Sequence, residues 1–206
     1  MLEHVPQWLG HALRGLRAGA DKLVIADPGI GHDFAPLDVT SPAFANGARL
    51  PVRFTADGPG VSPPLGWGEV PAGTALLALI VEDPDAPTLA PLVHAVVWGL
   101  DPEARGIAEG AIVADGAGTA EADVGRNSFA REGWLPPDPP TGHGVHAYAF
   151  QLFALSKVAQ LPASPGRTAL RDAIRGHVLA AGVLTGTYSR GEPAGYSASG
   201  DLAAAG

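Results

Sequence analysis

Cysteine is absent from this chain of 206 residues, and basic side chains are few. Without cysteine there is no disulfide, no thiol nucleophile and no thiolate metal ligand, so His, Asp and Glu remain for metal binding. The 13 lysines and arginines are outnumbered by 21 acidic residues, the formal net charge is −8, and no Lys/Arg run occurs. Because nucleic-acid binding needs clustered positive charge, this composition argues against a nucleic-acid partner.

Long apolar runs are also lacking. The longest purely apolar run spans residues 75–81, whereas a membrane-spanning helix needs roughly 20 such residues. The first residues show no basic segment followed by an apolar stretch and a small-residue cleavage site, which is the pattern of a secretory signal. We therefore expect a cytoplasmic protein without stable membrane insertion.

Glycine and proline are abundant and divide the chain into short segments. There are 28 glycines and 20 prolines, residues that mark turns and end helices. The apolar patterns between them predict strands over residues 49–55, 75–81, 94–98 and 148–155, with loops over 103–133. Apolar spacing after Thr168, taken as an N-cap, predicts a helix over residues 168–181 that ends at Gly182. Together these elements indicate a mainly β fold, a β-sandwich or open barrel with peripheral helices.

An amphipathic pattern precedes the strands. Leu9, Leu13, Leu16 and Ala20 recur at helical spacing and predict a helix over residues 5–20. Three roles are open for this helix: it lies on its own domain, pairs with a second copy, or touches a membrane surface. Among protein partners we favour a homodimer through this helix. The predicted organisation is an N-terminal helical extension and linker (1–36), a β domain (37–190) and a flexible C-terminal tail (191–206).

Carboxylates cluster in the turn directly after the run over 75–81. Asp83, Pro84 and Asp85 are followed by Ala86 and Pro87. The prolines stiffen this turn, so the two carboxylates are held in fixed directions. A ligand site and a turn whose aspartates cap local backbone N–H groups are both consistent with this pattern.

Histidines begin two other predicted strands. His94 opens the strand over 94–98, where it is either a core histidine or a site residue. The loop over 134–145 includes Pro139 and Pro140, which exclude a helix, and it leads into a strand where His146 and Tyr148 share one face. These side chains meet the carboxylates of the first turn only if the strands are neighbours.

Several motifs occur in an order typical of one protein family. They are Ser41-Pro42-Ala43-Phe44, Asp57-Gly58, Ser62-Pro63-Pro64-Leu65 with Trp67, Asp83-Pro84-Asp85-Ala86-Pro87, His94, Asn127-Ser128, Pro139-Pro140-x-Gly-x-Gly-x-His146 and Leu184-Thr185-Gly186-Thr187-Tyr188. Over roughly residues 38–190 the chain resembles the phosphatidylethanolamine-binding protein family, in its bacterial, Raf kinase inhibitor-like branch. Several motifs in order are far more specific than any one of them.

The resemblance implies a β-sandwich with a shallow pocket for phosphate-like anions and phospholipid head groups, with no cofactor and no catalysis. Carried over position by position, the pocket comprises Asp83, Asp85, Ala86, Pro87, His94, Pro139, Pro140, His146 and Tyr148. The two histidines are expected to donate hydrogen bonds, Tyr148 to offer its hydroxyl and Asp83 to orient a histidine. Backbone N–H groups of residues 142–144 are expected to complete the site.

Two departures from the family pattern bear on the ligand. Ala147 stands where the family commonly has arginine, and Asp138 adds negative charge near the expected anion site. One alternative is a protein-interaction scaffold with a vestigial pocket, since the family includes kinase-binding members. The others are a hydrolase and a metal-binding protein using Asp83 and the two histidines. No Gly-x-Ser-x-Gly motif and no cysteine nucleophile occur, so we expect no enzyme activity and no bound metal.

Overall fold

Two stacked β-sheets form the body of the molecule. The computed structural model describes residue 13 and residues 15–32, 34–114, 122–157 and 160–190. Its strands are β1 (Ala35–Pro36), β2 (Val39–Thr40), β3 (Leu65–Trp67), β4 (Leu76–Asp83), β5 (Leu92–Leu100), β6 (Gly106–Ile107), β7 (Asp123–Val124), β8 (His146–Leu155) and β9 (Val178–Tyr188), and helix α1 spans Arg167–Ile174. The larger sheet has the order β1-β9-β8-β4-β5-β7 and the smaller one β2-β3-β6. The predicted β-sandwich with peripheral helices is confirmed.

β4 lies inside the larger sheet, and both of its faces are buried. Leu77 and Leu79 join the core between the sheets together with Phe150. Ala78 and Ile80 join a second apolar cluster, which includes side chains of α1 and of the N-terminal segment. Burial on both faces explains the unbroken apolar run over 75–81. The strand predicted there is confirmed, as are those predicted at 94–98 and 148–155, which lie within β5 and β8.

The predicted helix over 168–181 is wrong beyond Ile174. The helix α1 ends there, Gly176 follows with φ of +71°, and β9 begins at Val178. The segment from Val178 onward is a strand because it pairs antiparallel with β8 along its whole length. The N-cap is also displaced, from Thr168 to Gly166. The apolar spacing after Ile174 resembles that of a helix, but hydrogen bonding to β8 makes this segment a strand.

The strand predicted over 49–55 is also absent. Val52–Phe54 forms a 3₁₀ turn, and Arg49 alone makes an isolated bridge to Thr187. Pro51 has no backbone N–H to give to a ladder, which is why the segment does not pair further. Most of the described residues in the predicted loops over 103–133 have no helix or strand, except for the short strands β6 and β7 and the end of a 3₁₀ turn at Ala104. Residues 115–121 lie outside the described residues.

The N-terminal segment departs from the predicted helix over 5–20. Leu13 is helical and Gly15 lies in a turn, but residues 16–19 have no regular structure and 3₁₀ turns begin at Ala20. Residues 5–12 and 14 lie outside the described residues, as does the predicted tail over 191–206. The backbone N–H of Val24 donates to Glu82 and that of Ile25 to Gln151. The segment therefore packs on its own domain from there onward, and the homodimer stays a prediction.

Gly182 on β9 marks a close approach between chain segments rather than the end of a helix. A Cβ atom there would lie 1.9 Å from the carbonyl oxygen of Leu37 and 2.8 Å from Cγ2 of Val39. We expect Gly182→Ala to lower the free energy of unfolding by about 1–3 kcal/mol, because overpacking displaces backbone. Urea unfolding followed by circular dichroism measures this. Gly15→Ala, where no atom lies within 4 Å, is the control, and equal stability of the two variants would contradict the expectation.

Candidate functional site

Three polar segments that are far apart in the sequence meet at one end of the larger sheet. β4 lies between β5 and β8, so the end of β4 at Asp83 is next to the beginning of both neighbours. His94 lies near the start of β5, and His146 and Tyr148 lie at the start of β8. Each of these four residues is at most 3% exposed. The structure thus brings together the side chains that sequence reasoning left separate.

The carboxylate of Asp83 fixes the orientation of His146. Its Oδ2 lies 2.8 Å from Nδ1 of His146. Its Oδ1 accepts a hydrogen bond of 2.8 Å from the backbone N–H of Asp85. With both oxygens engaged, the carboxylate cannot rotate, and a proton on Nδ1 of His146 is held toward it. Asp83 therefore contacts a histidine, as expected.

His143 extends this pair into a chain of polar groups, and the sequence analysis missed it. Nδ1 of His143 lies 2.7 Å from Nε2 of His146, and its Nε2 lies 2.8 Å from the carbonyl oxygen of Leu13. Burial lowers the pKa of His143, helped by His146 and Arg17 and opposed by the bond to Leu13. The only signal in the sequence was a histidine three residues before His146 in a glycine-rich loop.

His94 and Tyr148 present two buried polar atoms that have no partner among the described residues. These are Nε2 of His94 and the hydroxyl of Tyr148, and the two rings meet edge to face with centroids 5.0 Å apart. Nδ1 of His94 lies 2.6 Å from the carbonyl oxygen of Leu135, so it carries the proton. Burial lowers the pKa of His94, opposed chiefly by Asp83, and burial raises the pKa of Tyr148 well above its ordinary value. Unpartnered buried polar atoms are costly, and this pair is therefore a candidate site for a polar ligand.

Arg190 lies beside the pocket and neutralises the charge expected from Asp138. Its guanidinium pairs with Asp138 and with Asp57, whose Oδ1 lies 2.6 Å from Nη2. The hydroxyl of Tyr188 donates a further bond of 2.7 Å to Asp57. Hydrogen bonding to Arg190 is the main cause that lowers the pKa of Asp57. Asp138 is therefore part of an ion-pair network with Arg190 and Asp57, which sequence reasoning did not predict.

The turn after β4 is tied to the start of β8 and to the N-terminal segment. Oδ2 of Asp85 accepts a bond of 2.7 Å from the backbone N–H of Ala147, and the same carboxylate pairs with Arg17. Arg17 also donates to the carbonyl oxygen of Val145. Arg17, from a distant part of the chain, thus lies near Ala147, the position where the family commonly has arginine.

The remaining predicted pocket residues line this region without free polar groups. Ala86 is buried and Pro87 is half-buried in the turn, and Pro139 and Pro140 are both buried. Two of the three amides of the expected anion nest over 142–144 are already bonded, because the N–H of Gly142 donates to the carbonyl of Arg190 and that of His143 to the carbonyl of Pro140. These two amides hold the loop in place and are not available to a ligand.

A metal site in this region would need histidine nitrogens that are already used. Both ring nitrogens of His146 are engaged, by Asp83 and by His143, and one nitrogen of His94 is bonded to Leu135. Over the described part of the chain, no three His, Asp or Glu side chains are grouped as metal ligands. The geometry instead forms a hydrogen-bonded chain beside two unpartnered polar atoms.

Both the sequence and the fold of this chain are similar to those of known proteins. Residues 40–189 match the model of a family described as phosphatidylethanolamine-binding protein. A UPF0098 protein of Methanothermobacter thermautotrophicus is 37% identical over 156 residues, which cover 75% of this chain and all of that protein. Two crystal structures share the fold. The phosphatidylethanolamine-binding protein homolog CT736 of Chlamydia trachomatis has a TM-score of 0.67 and 33% identity, and the match covers 75% of this chain and 98% of that one. YbcL of E. coli has a TM-score of 0.69 and 28% identity, and the match covers 75% of this chain and 99% of that one.

A further relative is named as a lipoprotein. A protein of Mycobacterium tuberculosis named putative lipoprotein LppC is 43% identical over 138 residues, which cover 67% of this chain and only 64% of that protein. Within the described residues, no helix has the length and apolar character needed to cross a membrane. The cytoplasmic location stays a prediction.

Proposed function

Because the chain belongs to the phosphatidylethanolamine-binding protein family, on its bacterial branch, we propose that it is a non-catalytic binding protein for small phosphate-containing anions, phospholipid head groups included. The observation that carries the proposal is the pair of buried, unpartnered atoms, Nε2 of His94 and the hydroxyl of Tyr148. The two rings that carry these atoms meet edge to face with centroids 5.0 Å apart, so a single small ligand is proposed to contact both atoms. An oxyanion bound there satisfies both at once.

Anion binding at this pair requires a proton. Because Nδ1 of His94 already carries its proton toward Leu135, Nε2 of the neutral ring is a hydrogen-bond acceptor. It donates to an anion only after taking up a second proton, and burial opposes this by lowering the pKa of His94. The anion supplies the compensating charge. Binding near neutral pH is therefore coupled to proton uptake, and affinity falls by up to about tenfold per pH unit as the pH rises.

The hydroxyls outside this pair support a binding role rather than catalysis. Ser62 accepts the backbone N–H of Ile112, and Ser128 accepts that of Val93. Each serine therefore holds backbone in place. No base lies beside either hydroxyl among these contacts, and an activated serine needs one within hydrogen-bond reach.

Calorimetric titration with phosphate, phosphoethanolamine and acetate tests the proposal. We expect saturable binding of the two phosphorylated compounds and a binding enthalpy that varies with the ionisation enthalpy of the buffer. His94→Asn keeps a donor for the carbonyl of Leu135 but removes Nε2, and Tyr148→Phe removes only the hydroxyl. Because a charge-assisted hydrogen bond contributes about 1.5–3 kcal/mol, His94→Asn is expected to weaken binding roughly 10- to 100-fold.

The controls separate the pocket from general effects of losing a histidine. His177→Asn changes a half-buried histidine beyond α1 and is expected to bind as the wild type does. Equal affinity of His94→Asn and wild type would overturn the assignment of the pocket. The absence of any binding by wild type at every pH would leave the protein-interaction scaffold as the better account.

A further inference from the structure

The pocket is closed in this structure, and a stretch of the N-terminal segment lies across it. Leu13 and residues 15–19, called the cover segment below, contact both motifs that build the pocket. The N–H of Ala18 donates to the carbonyl of Ala86 (3.1 Å) and that of Gly19 to the carbonyl of Pro84 (2.9 Å). On the other side the carbonyl of Leu13 meets His143. Since the pocket side chains are almost inaccessible, a ligand enters only when something moves.

The contact with Leu13 ends a hydrogen-bonded chain whose protons can be counted. The chain runs from Asp83 through His146 and His143 to the carbonyl of Leu13, with heavy-atom distances of 2.8, 2.7 and 2.8 Å. Each contact needs one hydrogen, so the chain holds three. A carboxylate and a carbonyl bring none, and two neutral imidazoles bring one each. The closed arrangement therefore carries one proton more than an ionised Asp83 with two neutral histidines.

Loss of that extra proton leaves one contact with two lone pairs facing each other. If His143 then donates to His146, its Nε2 faces the carbonyl of Leu13 without a hydrogen. If His143 donates to Leu13 instead, the two histidine nitrogens at 2.7 Å repel. In the first case the contact between the cover segment and the pocket loses its attraction. In the second case His143, the residue that holds Leu13, is repelled by His146.

We propose that the cover segment closes on the pocket only while the chain from Asp83 to His143 holds this extra proton, so that a rise in pH releases the cover and opens the pocket. The proposal rests on the proposed function of the pocket. His143 is a positioning residue in it, because it couples the histidine of the pocket to the cover.

Burial decides how His143 is bonded within the chain. The pKa of His143 is lowered, mainly by burial, so His143 is the neutral partner: it accepts from His146 and donates to Leu13. The other titratable or charged groups near the chain are Arg17 in the cover segment, Asp85 in the turn after β4, His94 on β5, Tyr148 on β8, Asp138 in the loop before β8 and Arg190 after β9. The ion pairs of Arg17 with Asp85 and of Arg190 with Asp138 leave Asp83 as the carboxylate that directly contacts a histidine of the chain.

Two protons therefore act on the pocket in opposite directions. The proton on His94 favours the anion, whereas the extra proton of the chain from Asp83 to His143 favours the cover that keeps the anion out. We expect affinity for phosphoethanolamine to pass through a maximum at intermediate pH. Removing the coupling at His143 is expected to abolish the weakening on the acid side and leave the weakening on the alkaline side.

Amide hydrogen exchange of Ala18 and Gly19 on the full chain, with no anion present, tests the cover directly. After correction for intrinsic exchange, we expect protection of both amides to fall about tenfold per pH unit above the point where the chain loses its proton, because opening releases one proton. His143→Gln fills a similar volume and keeps a donor for Leu13, but it does not titrate. In this variant protection is expected to be independent of pH.

Two comparisons decide the outcome. His177→Gln, which removes a histidine far from the cover in the sequence, is expected to keep the slope of the wild type. Protection that does not change between about pH 5.5 and 8.5, the range in which imidazoles titrate, would overturn the proposal, as would an unchanged slope in His143→Gln. If protection behaves as expected but neither protein binds phosphate or phosphoethanolamine at any pH, the cover stands and the proposed function fails.

Discussion

Replacement of Arg190 by alanine is expected to lower the free energy of unfolding by about 3 kcal/mol or more, since removing one partner of a buried ion pair leaves the other charge uncompensated. The side chain of Arg190 is only 8% exposed, and it pairs with both Asp57 and Asp138. Its loss leaves two carboxylates without their cation next to the pocket. Phosphoethanolamine affinity is therefore expected to fall as well, because the guanidinium of Arg190 no longer lies beside the negative charge of Asp138.

Urea unfolding at two pH values checks this prediction and its electrostatic origin. The pKa of Asp57 is lowered in the folded protein, so its contribution to stability is complete above the unfolded value near 4 and is lost as the pH falls further. The penalty of Arg190→Ala is therefore expected to shrink below about pH 4. Arg175→Ala is a matched control, because Arg175 also pairs with two aspartates but is 44% exposed. We expect it to cost less than about 1 kcal/mol; equal costs for the two variants would contradict the account.

A second large effect is expected at Glu82, on the opposite side of β4 from the core between the sheets. Its side chain is fully buried and accepts hydrogen bonds from the N–H of Val24 (2.9 Å), from Nε2 of Gln151 (2.8 Å) and from Nε of Arg167 (2.5 Å). Glu82→Ala leaves all three donors without their acceptor. We expect a loss of about 3–5 kcal/mol, the range measured when buried ion pairs are broken.

Hydrogen exchange and urea unfolding of Glu82→Ala locate this loss. Because Val24 belongs to the N-terminal segment, its amide is expected to lose protection at a lower urea concentration than the amides of β8. Glu109→Ala is the control: Glu109 also pairs with an arginine, Arg53, but both side chains are more than 40% exposed. That substitution is expected to change stability by less than about 1 kcal/mol, and a similar loss in both variants would show that the burial of Glu82 is not decisive.

Strands could be predicted from the sequence where their burial produces a recognisable pattern of apolar residues. β4 is buried on both faces, so its sequence is an unbroken apolar run bounded by turn residues. β9 has no such pattern, because its residues alternate between buried, half-buried and exposed positions and include Gly182, Gly186 and two threonines. Its strand character comes from pairing with β8, which local spacing cannot contain. Apolar spacing alone therefore extended the preceding helix into it.

The residues of the candidate site likewise fall into those that could be predicted from the sequence and those that could not. Asp83, His94, His146 and Tyr148 were predictable because they lie in motifs, and the strand order then brought them together. His143 was not, since its role depends on a carbonyl that is 130 positions away in the sequence. Arg190 and Arg17 likewise act through contacts across more than 50 residues. Long-range pairing of this kind is set by the tertiary structure and leaves no periodic signal.

Leu13 and Arg190 contact consecutive residues of one loop, the former at His143 and the latter at Gly142. The described part of the chain thus enters and leaves the domain at the same place. A short peptide joining these two points would close the chain into a ring, and new ends could then be cut in the exposed turn at Gly73. For the same reason, a fluorescent protein joined directly to Leu13 or to Arg190 would begin beside the pocket. Circular permutation and reporter fusion at this point therefore offer a route to a sensor whose signal follows pocket opening.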